Sequence, residues 1–202
     1  NILNQKASRV GAIDLGAYSI SENNNFSFFD KLDNNEFKFL YLLGEDSITF
    51  EKKDKFIVYQ GSHGDKGAEI ADIILPGAAY TEKNGSFINL EGKLQKAYKA
   101  SYPPGEAKED WLILKDLANM LNKPLPFKNF NDLRNLISKD IQSKIHKESV
   151  KKLNTVEFIE GNISIKPIDY YYTNSIARSS KVMSECRKIS KKFLFTGIEK
   201  AS

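Results

Sequence analysis

The chain has 202 residues, with 30 Lys and Arg against 26 Asp and Glu, one Cys and two His. A single cysteine excludes an internal disulfide framework, and one Cys with two His falls short of an ordinary zinc site or an iron–sulfur cluster built within this chain. No apolar run approaches the roughly 18 residues of a membrane span, and no charged segment leads into an apolar stretch at the start, so neither a transmembrane helix nor a signal peptide is expected. Apolar spacing through Ala7, Val10, Ile13 and Leu15 predicts a helix over 4–13, stopped at Gly16. The segment 26–32 is short and apolar, a helix turn or a docking segment between two polar loops. Three stretches then read as buried strands: 37–43 ending at Gly44, 56–60 ending at Gly61, and 71–75 ending at Pro76. Short buried strands separated by crossovers argue for a parallel α/β sheet.

Lys83-Asn84-Gly85-Ser86 is a turn signal before a strand over 87–90, and Glu91-Gly92-Lys93 turns the chain again. Pro103-Pro104-Gly105 breaks it ahead of the strongest helical pattern, 106–121. Glu106, Glu109 and Asp110 sit at the positive end of that helix dipole, and Trp111, Leu114, Leu117, Ala118 and Leu121 form one apolar face. Asn131 or Asp132 caps a short helix through Ile137. A last amphipathic helix is predicted over 174–193, with Ile176, Val182, Cys186, Ile189 and Phe193 turned inward. Charge divides unevenly along this path. Residues 1–138 hold 17 basic and 19 acidic side chains, whereas 139–202 hold 13 basic and 7 acidic ones. A basic final third reads first as a solvated helix face, and otherwise as a contact for nucleic acid, anionic lipid or an acidic protein surface.

The loop Gly61-Ser62-His63-Gly64-Asp65-Lys66-Gly67 is the most suggestive stretch chemically. It follows a strand, and ligands of open α/β sheets bind beyond the carboxyl ends of strands. Its glycines would let backbone amides approach a phosphate, yet it matches neither the dinucleotide fingerprint nor a P-loop, so a structural turn weighs more. His63 is a candidate acid–base residue with no Ser or Cys nucleophile motif to serve. His146 reads as exposed. Glu82 and Glu91 are a candidate carboxylate pair, with satisfaction of backbone amides and of a cation such as Lys93 as the heavier alternative. Cys186 reads as a small hydrophobe on a helix.

Several longer blocks carry a resemblance. Val58-Tyr59-Gln60-Gly61-Ser62-His63-Gly64-Asp65-Lys66-Gly67-Ala68 runs into Ile70-Ala71-Asp72-Ile73-Ile74-Leu75-Pro76-Gly77-Ala78-Ala79-Tyr80-Thr81-Glu82-Lys83. Gly85, Asn89, Glu91-Gly92 and Gln95 follow, then Pro103-Pro104-Gly105-Glu106-Ala107 and Glu109-Asp110-Trp111. Together these resemble the molybdopterin-oxidoreductase-like domain of the large, 75-kDa type iron–sulfur subunit of respiratory complex I, from about residue 1 to 125. The block 165–180, containing Asp169-Tyr170-Tyr171-Tyr172-Thr173-Asn174-Ser175-Ile176-Ala177-Arg178, is similar to the mitochondrial and alphaproteobacterial form of that subunit. Residues 126–164 match less clearly. The Ala-Asp-Ile-Ile-Leu-Pro core is shared with molybdenum enzymes such as formate dehydrogenases, whereas the Tyr-Gln-Gly-Ser-His-Gly-Asp loop and the Tyr-rich block point to complex I. Lys93 stands where the family more often has Arg, which keeps the charge but loses the bidentate fork.

The resemblance implies an α/β chain: a parallel-sheet, Rossmann-like portion of a molybdopterin-oxidoreductase-like domain over 1–125, and a helical, basic docking segment over 126–202. It implies a structural, non-redox part of NADH:ubiquinone oxidoreductase in the peripheral arm, on the matrix side of the mitochondrial inner membrane or the cytoplasmic face of a bacterial one. No catalytic residue, no metal ligand and no cofactor are expected in this chain. Gly61, His63, Gly64 and Asp72 are vestigial cofactor-site candidates, and Asp72, Glu82 and Glu91 are structural carboxylates. Iron–sulfur clusters are expected in the N-terminal part of the subunit, whose cysteine motifs this chain lacks, so it reads as a C-terminal piece, encoded separately or truncated. The expected partners are other peripheral-arm subunits, including a chain carrying the rest of the iron–sulfur subunit, with no nucleic acid and no membrane insertion. Two alternatives stay open. One is a fragment of a molybdopterin-dependent enzyme in which 61–67 and Asp72 help hold a guanine dinucleotide. The other is a free-standing basic binding module.

Overall fold

A computed structural model describes residues 7–17, 28–46, 48–145 and 169–193, with the side chains of Phe29, 142–145 and 191–193 set aside. The predictions for 4–6, His146 and the side chain of Phe193 lie outside these residues. Three parallel strands, β1 (Phe39–Leu43), β2 (Phe56–Gly61) and β3 (Ile73–Pro76), pair in the order 1-2-3. The middle strand is the most buried because its run Ile57-Val58-Tyr59-Gln60 has a neighbour on each side, and all four side chains lie inside.

Parallel pairing demands crossovers, and both lie over one face of this sheet. Leu40, Leu42, Ile57 and Tyr59 on that face pack with Leu32 of helix α2 (Phe28–Asp33), with Ile48 and Phe50 from the first crossover, and with Ala68, Ile70 and Ala71 from the second. The second crossover includes the four-residue helix α3 (Lys66–Glu69), whose N-cap Asp65 accepts from the amide of Lys66 at 2.9 Å. The opposite face is bare over much of its area. Phe39, Leu43, Phe56 and Ile73 are 57%, 51%, 45% and 45% exposed, with the Phe39 and Phe56 rings stacked 6.2 Å apart. Parallel sheets ordinarily have both faces covered; here Val58 and Gln60 on the second face are covered, while its Phe39–Phe56 end and Ile73 are open.

A separate antiparallel hairpin joins β4 (Gly85–Ile88) to β5 (Leu94–Ala97), with Ile88 opposite Leu94. Its turn forms because the Asn89 side chain accepts from the amides of Glu91 and Lys93, and Gly92 takes φ +78°, a left-handed value open to glycine without strain. The strand predicted over 87–90 is therefore shifted to 85–88, and it belongs to a hairpin rather than to the parallel sheet. The first helix, α1 (Arg9–Asp14), lies against β4, with Gly11 facing Ile88.

Helix α4 (Asp110–Met120) begins four residues later than predicted, with Glu109 as its extended N-cap. Ile113 is its most buried residue, and Trp111, Leu114, Leu117 and Ala118 of the predicted face are partly buried, while Leu121, at the C-cap, is 63% exposed. Helix α5 (Phe130–Ile145) is far longer than the short helix expected. It starts on a reciprocal cap: Asn129 Oδ1 accepts from the amide of Asp132, and Asp132 Oδ2 accepts from the amide of Asn129.

The predicted helix over 174–193 is two helices. A 3-10 turn (Tyr170–Tyr172) precedes α6 (Ser175–Ser179) and α7 (Lys181–Phe193), with Ser180 extended at ψ 123° between the two helices. Asn174 caps α6 through the amide of Ala177 (2.9 Å), and Ser180 Oγ accepts from Met183 N (3.3 Å). The block is held by polar contacts: Arg187 pairs with Asp169 at 2.5 Å and lies 4.4 Å over the ring of Tyr172, whose hydroxyl contacts Ser184. Val182 and Ile189, expected inside, are 66% and 57% exposed, because α7 packs on the turn through Arg187 and Ser184 instead. Cys186 is half-buried. Among the described residues, no helix is long and apolar enough to cross a membrane.

Candidate functional site

The carboxyl ends of β1 and β2 open into a cavity of about 460 Å³, lined by Gly44, Asp46, Tyr59, Gly61, Ser62, Lys83, Asp110 and 174–176 among others. Its position beyond the strand ends follows from the parallel sheet, where successive loops must leave from the same edge. Two ion networks reach its walls through Asp46, Lys83 and Asp110. In the first, Gln60, fully buried, donates to Asp110 Oδ1 at 2.9 Å and accepts from the Tyr41 hydroxyl, while Lys83 pairs with the other Asp110 oxygen. Burial, with Asp110 nearby, raises the Tyr41 hydroxyl above the usual tyrosine range.

The second network crosses the chain. Arg178 on α6 donates from Nε to Asp65 Oδ2 at 2.5 Å, and its Nη2 lies 2.6 Å from Asp46 Oδ1 as an ion pair outside hydrogen-bond alignment. The guanidinium bond holds the Asp65 carboxyl below the ordinary carboxylate range. Tyr59, between the two aspartates, donates to the carbonyl of His63 at 2.7 Å; burial, reinforced by Asp46 and Asp65, pushes its hydroxyl up to about 12. A Cβ on Gly67 would come within 2.5 Å of the Glu45 carbonyl and 3.0 Å of the Tyr59 ring, so this glycine serves close packing of the loop.

The residues singled out in the sequence divide between places. Gly61, His63 and Gly64 share the loop at the strand ends; the His63 ring contacts Ser62 Oγ at 3.0 Å, and Gly64 is exposed. Asp72 is at the other end of the sheet. It accepts from the amide of Ile57 (2.8 Å) and from Lys52 Nζ (2.6 Å), with Lys52 as the main cause of its lowered pKa. The residues from Ile57 to Gly61 span roughly 13 Å along β2 at ~3.3 Å per residue, so Asp72 and the glycine loop do not form one ligand site. Glu82 and Glu91 are not a pair: Glu82 accepts from the amide of Ala79 (3.0 Å), and Glu91 contacts its own turn through Asn89. Lys93 makes no ion pair with either; its amide serves the hairpin turn. Local pattern gives no site role to Asp46, Lys83, Asp110 or Arg178: it reads Asp110 only as a helix-dipole residue and Lys83 only as part of a turn. Lys83, Asp110 and Arg178 do stand in the blocks that carry the resemblance.

Neither side-chain cation at this opening is free to meet a dinucleotide diphosphate. A diphosphate needs free cations or free amides. Here Arg178 and Lys83 are committed to carboxylates, and Asp65 takes the amide of Lys66 at the start of α3. Asp46 and Asp110 line the opening, with Asp65 behind them on Arg178, so three aspartates meet two cations, a balance that disfavours an added anion.

Comparison with known proteins agrees with the α/β architecture. The family model for molybdopterin oxidoreductase matches residues 1–120, and the chain belongs to that family. A second model, for the C-terminal region of an NADH-ubiquinone oxidoreductase subunit, matches residues 135–186, which include Arg178. The chain is 43% identical to the NADH-ubiquinone oxidoreductase 75 kDa subunit of Reclinomonas americana, over 95% of this chain and 29% of the relative. It is 40% identical to the mitochondrial 78 kDa subunit of Candida albicans, over 92% of this chain and 27% of that protein. It is 41% identical to an NADH-quinone oxidoreductase subunit of Rickettsia conorii, again over 92% and 27%. The chain thus spans less than a third of the length of these relatives.

Proposed function

We propose that this chain is a structural, non-redox part of a complex I type NADH:ubiquinone oxidoreductase, completing the molybdopterin-oxidoreductase-like domain of the peripheral arm. The carrying observation is the clasp of Arg178 on Asp46 and Asp65. Arg178 comes from the segment matched by the second family model, and its clasp ties that segment to the strand ends of the α/β body. On this reading the chain holds no cofactor, and electron transfer from NADH to quinone uses iron–sulfur clusters in the remainder of the subunit. Residues 1–125 form the α/β body and 126–202 the docking segment. The assembly works on the matrix side of the mitochondrial inner membrane or the cytoplasmic side of a bacterial membrane.

The bare sheet face supports the same reading. Phe39, Phe56 and Ile73 form an apolar surface on a parallel sheet, and the polypeptide corresponding to the remainder of the relatives is its natural cover. Affinity purification of the tagged chain from membranes of its own organism is expected to yield a cysteine-rich iron–sulfur polypeptide and NADH-oxidising activity. Recovery of the chain free of both would overturn the reading. Salt-sensitive retention of nucleic acid by the purified chain would favour the basic-module alternative instead.

A further inference from the structure

A second cavity, of about 410 Å³, lies between α1, the hairpin, α4 and α5. Its walls are mostly apolar, with Leu15, Phe87, Trp111, Leu133 and Ile137 among them, and Leu15 at its margin is 41% exposed. One cation stands among these side chains. Arg134 on α5 lies over the rings of Phe130 (4.8 Å) and Tyr98 (5.9 Å), and its Nε is buried with no acceptor. The carboxylates lining the same cavity are spent elsewhere. Glu109 accepts from Trp111 Nε1 at 2.9 Å and pairs with Lys99, and Asp110 is held by Lys83 and Gln60.

We infer that this cavity receives a segment of the polypeptide carrying the remainder of the subunit, in which an Asp or Glu flanked by apolar side chains closes on Arg134. The inference rests on the proposed function, which supplies the partner; the cavity supplies its chemistry. Aromatic faces attract a guanidinium but accept no hydrogen bond in its plane, so the in-plane donor of Arg134 still lacks an acceptor. A carboxylate matches that planar fork, and apolar walls keep water from competing for it. The occupant is a protein segment because these relatives extend well beyond the part matched here, and because the bare sheet face calls for cover from the same source.

The test uses the whole assembly. A photo-cross-linking amino acid is placed at Leu133, and in a separate preparation Arg134 is replaced by Met. The expected cross-link joins position 133 to the iron–sulfur polypeptide, within a peptide containing Asp or Glu. Arg134→Met is expected to weaken retention of that polypeptide by at least about tenfold, as loss of one partner of a desolvated pair does, and Arg134→Lys by less. Because a Met variant that fails to fold would also lose retention, the cross-link is read with Arg134 intact. A cross-link to a second copy of this chain, to a fatty acid, or to nothing while the assembly remains whole overturns the inference and leaves the structural role standing. Absence of the iron–sulfur polypeptide from the wild-type assembly overturns the underlying role as well.

Discussion

Replacing Arg178 with Met is expected to free residues 169–193 from the strand ends and to destabilise the protein by about 2–3 kcal/mol. Removal of one member of a buried ion pair costs roughly 3–5 kcal/mol, because the remaining charge is left without compensation. Here the Arg178, Asp46 and Asp65 side chains retain 20%, 12% and 28% exposure, so solvent screening reduces the effect. Arg178→Lys is expected to fall between, since an ammonium lacks the fork that reaches two carboxylates at once. The measurement is the urea midpoint of the protein with its partner, together with the rate at which protease releases the C-terminal block.

A pH dependence accompanies this loss. Asp65 has a folded-state pKa below its unfolded value, chiefly through its bond to Arg178. A depressed carboxylate contributes stability that is present above its unfolded pKa of about 3.9 and disappears as pH falls through the lower folded value. The wild type should therefore lose this contribution on acidification, and the Met variant should show a shallower acid limb. The Asp72 contribution, caused mainly by Lys52, should remain in both proteins. Equal midpoints and equal acid limbs would mean that the clasp contributes nothing to stability.

The second large effect separates the two faces of the sheet. Ile57→Ala is expected to cost about 3–5 kcal/mol, since Ile57 is fully buried in the central strand and its loss leaves a cavity among Leu32, Leu40 and Tyr59. Its neighbour Phe56 points to the other face and is 45% exposed. Phe56→Ser is expected to change the chain's own unfolding by less than about 1 kcal/mol, as exposed positions usually do, while weakening capture of the iron–sulfur polypeptide. Denaturant midpoints and affinity capture of both variants distinguish the faces. Similar loss of stability from both, with capture by Phe56→Ser intact, would mean that the bare face is not a contact.

Much of the sheet is legible in the sequence because its strands are apolar runs ended by Gly44, Gly61 and Pro76, signals that act locally. β5 is not legible as a strand. Leu-Gln-Lys-Ala has no strand pattern of its own and pairs because Asn89 closes the turn and Leu94 meets Ile88. Apolar spacing suggests one continuous helix over 174–193, but Asn174 and Ser180 each offer a cap, and the chain breaks at the second. The same spacing misplaces the inward side of α7, because its packing is polar, through Arg187 and Ser184, where periodicity of apolar residues carries no information.

At the site the limits are those of distance. Arg178 and Asp65 are 113 residues apart, and the sheet that brings Lys83 to Asp110 and Gln60 to Asp110 is a tertiary fact. Asp72 stands close to the glycine loop in sequence, yet the crossover through α3 runs between them and returns the chain to the start of β3, at the opposite end of the sheet. Resemblance to the 75-kDa type family places Lys83, Asp110 and Arg178 in motif blocks without saying what they touch.

Metal and pterin analysis of the purified assembly tests the central claim most directly. The expected result is iron contributed by the remainder of the subunit, no molybdenum or tungsten, and no guanine dinucleotide on acid extraction. Stoichiometric molybdenum or tungsten together with a pterin dinucleotide, bound at the strand ends of this chain, would contradict it.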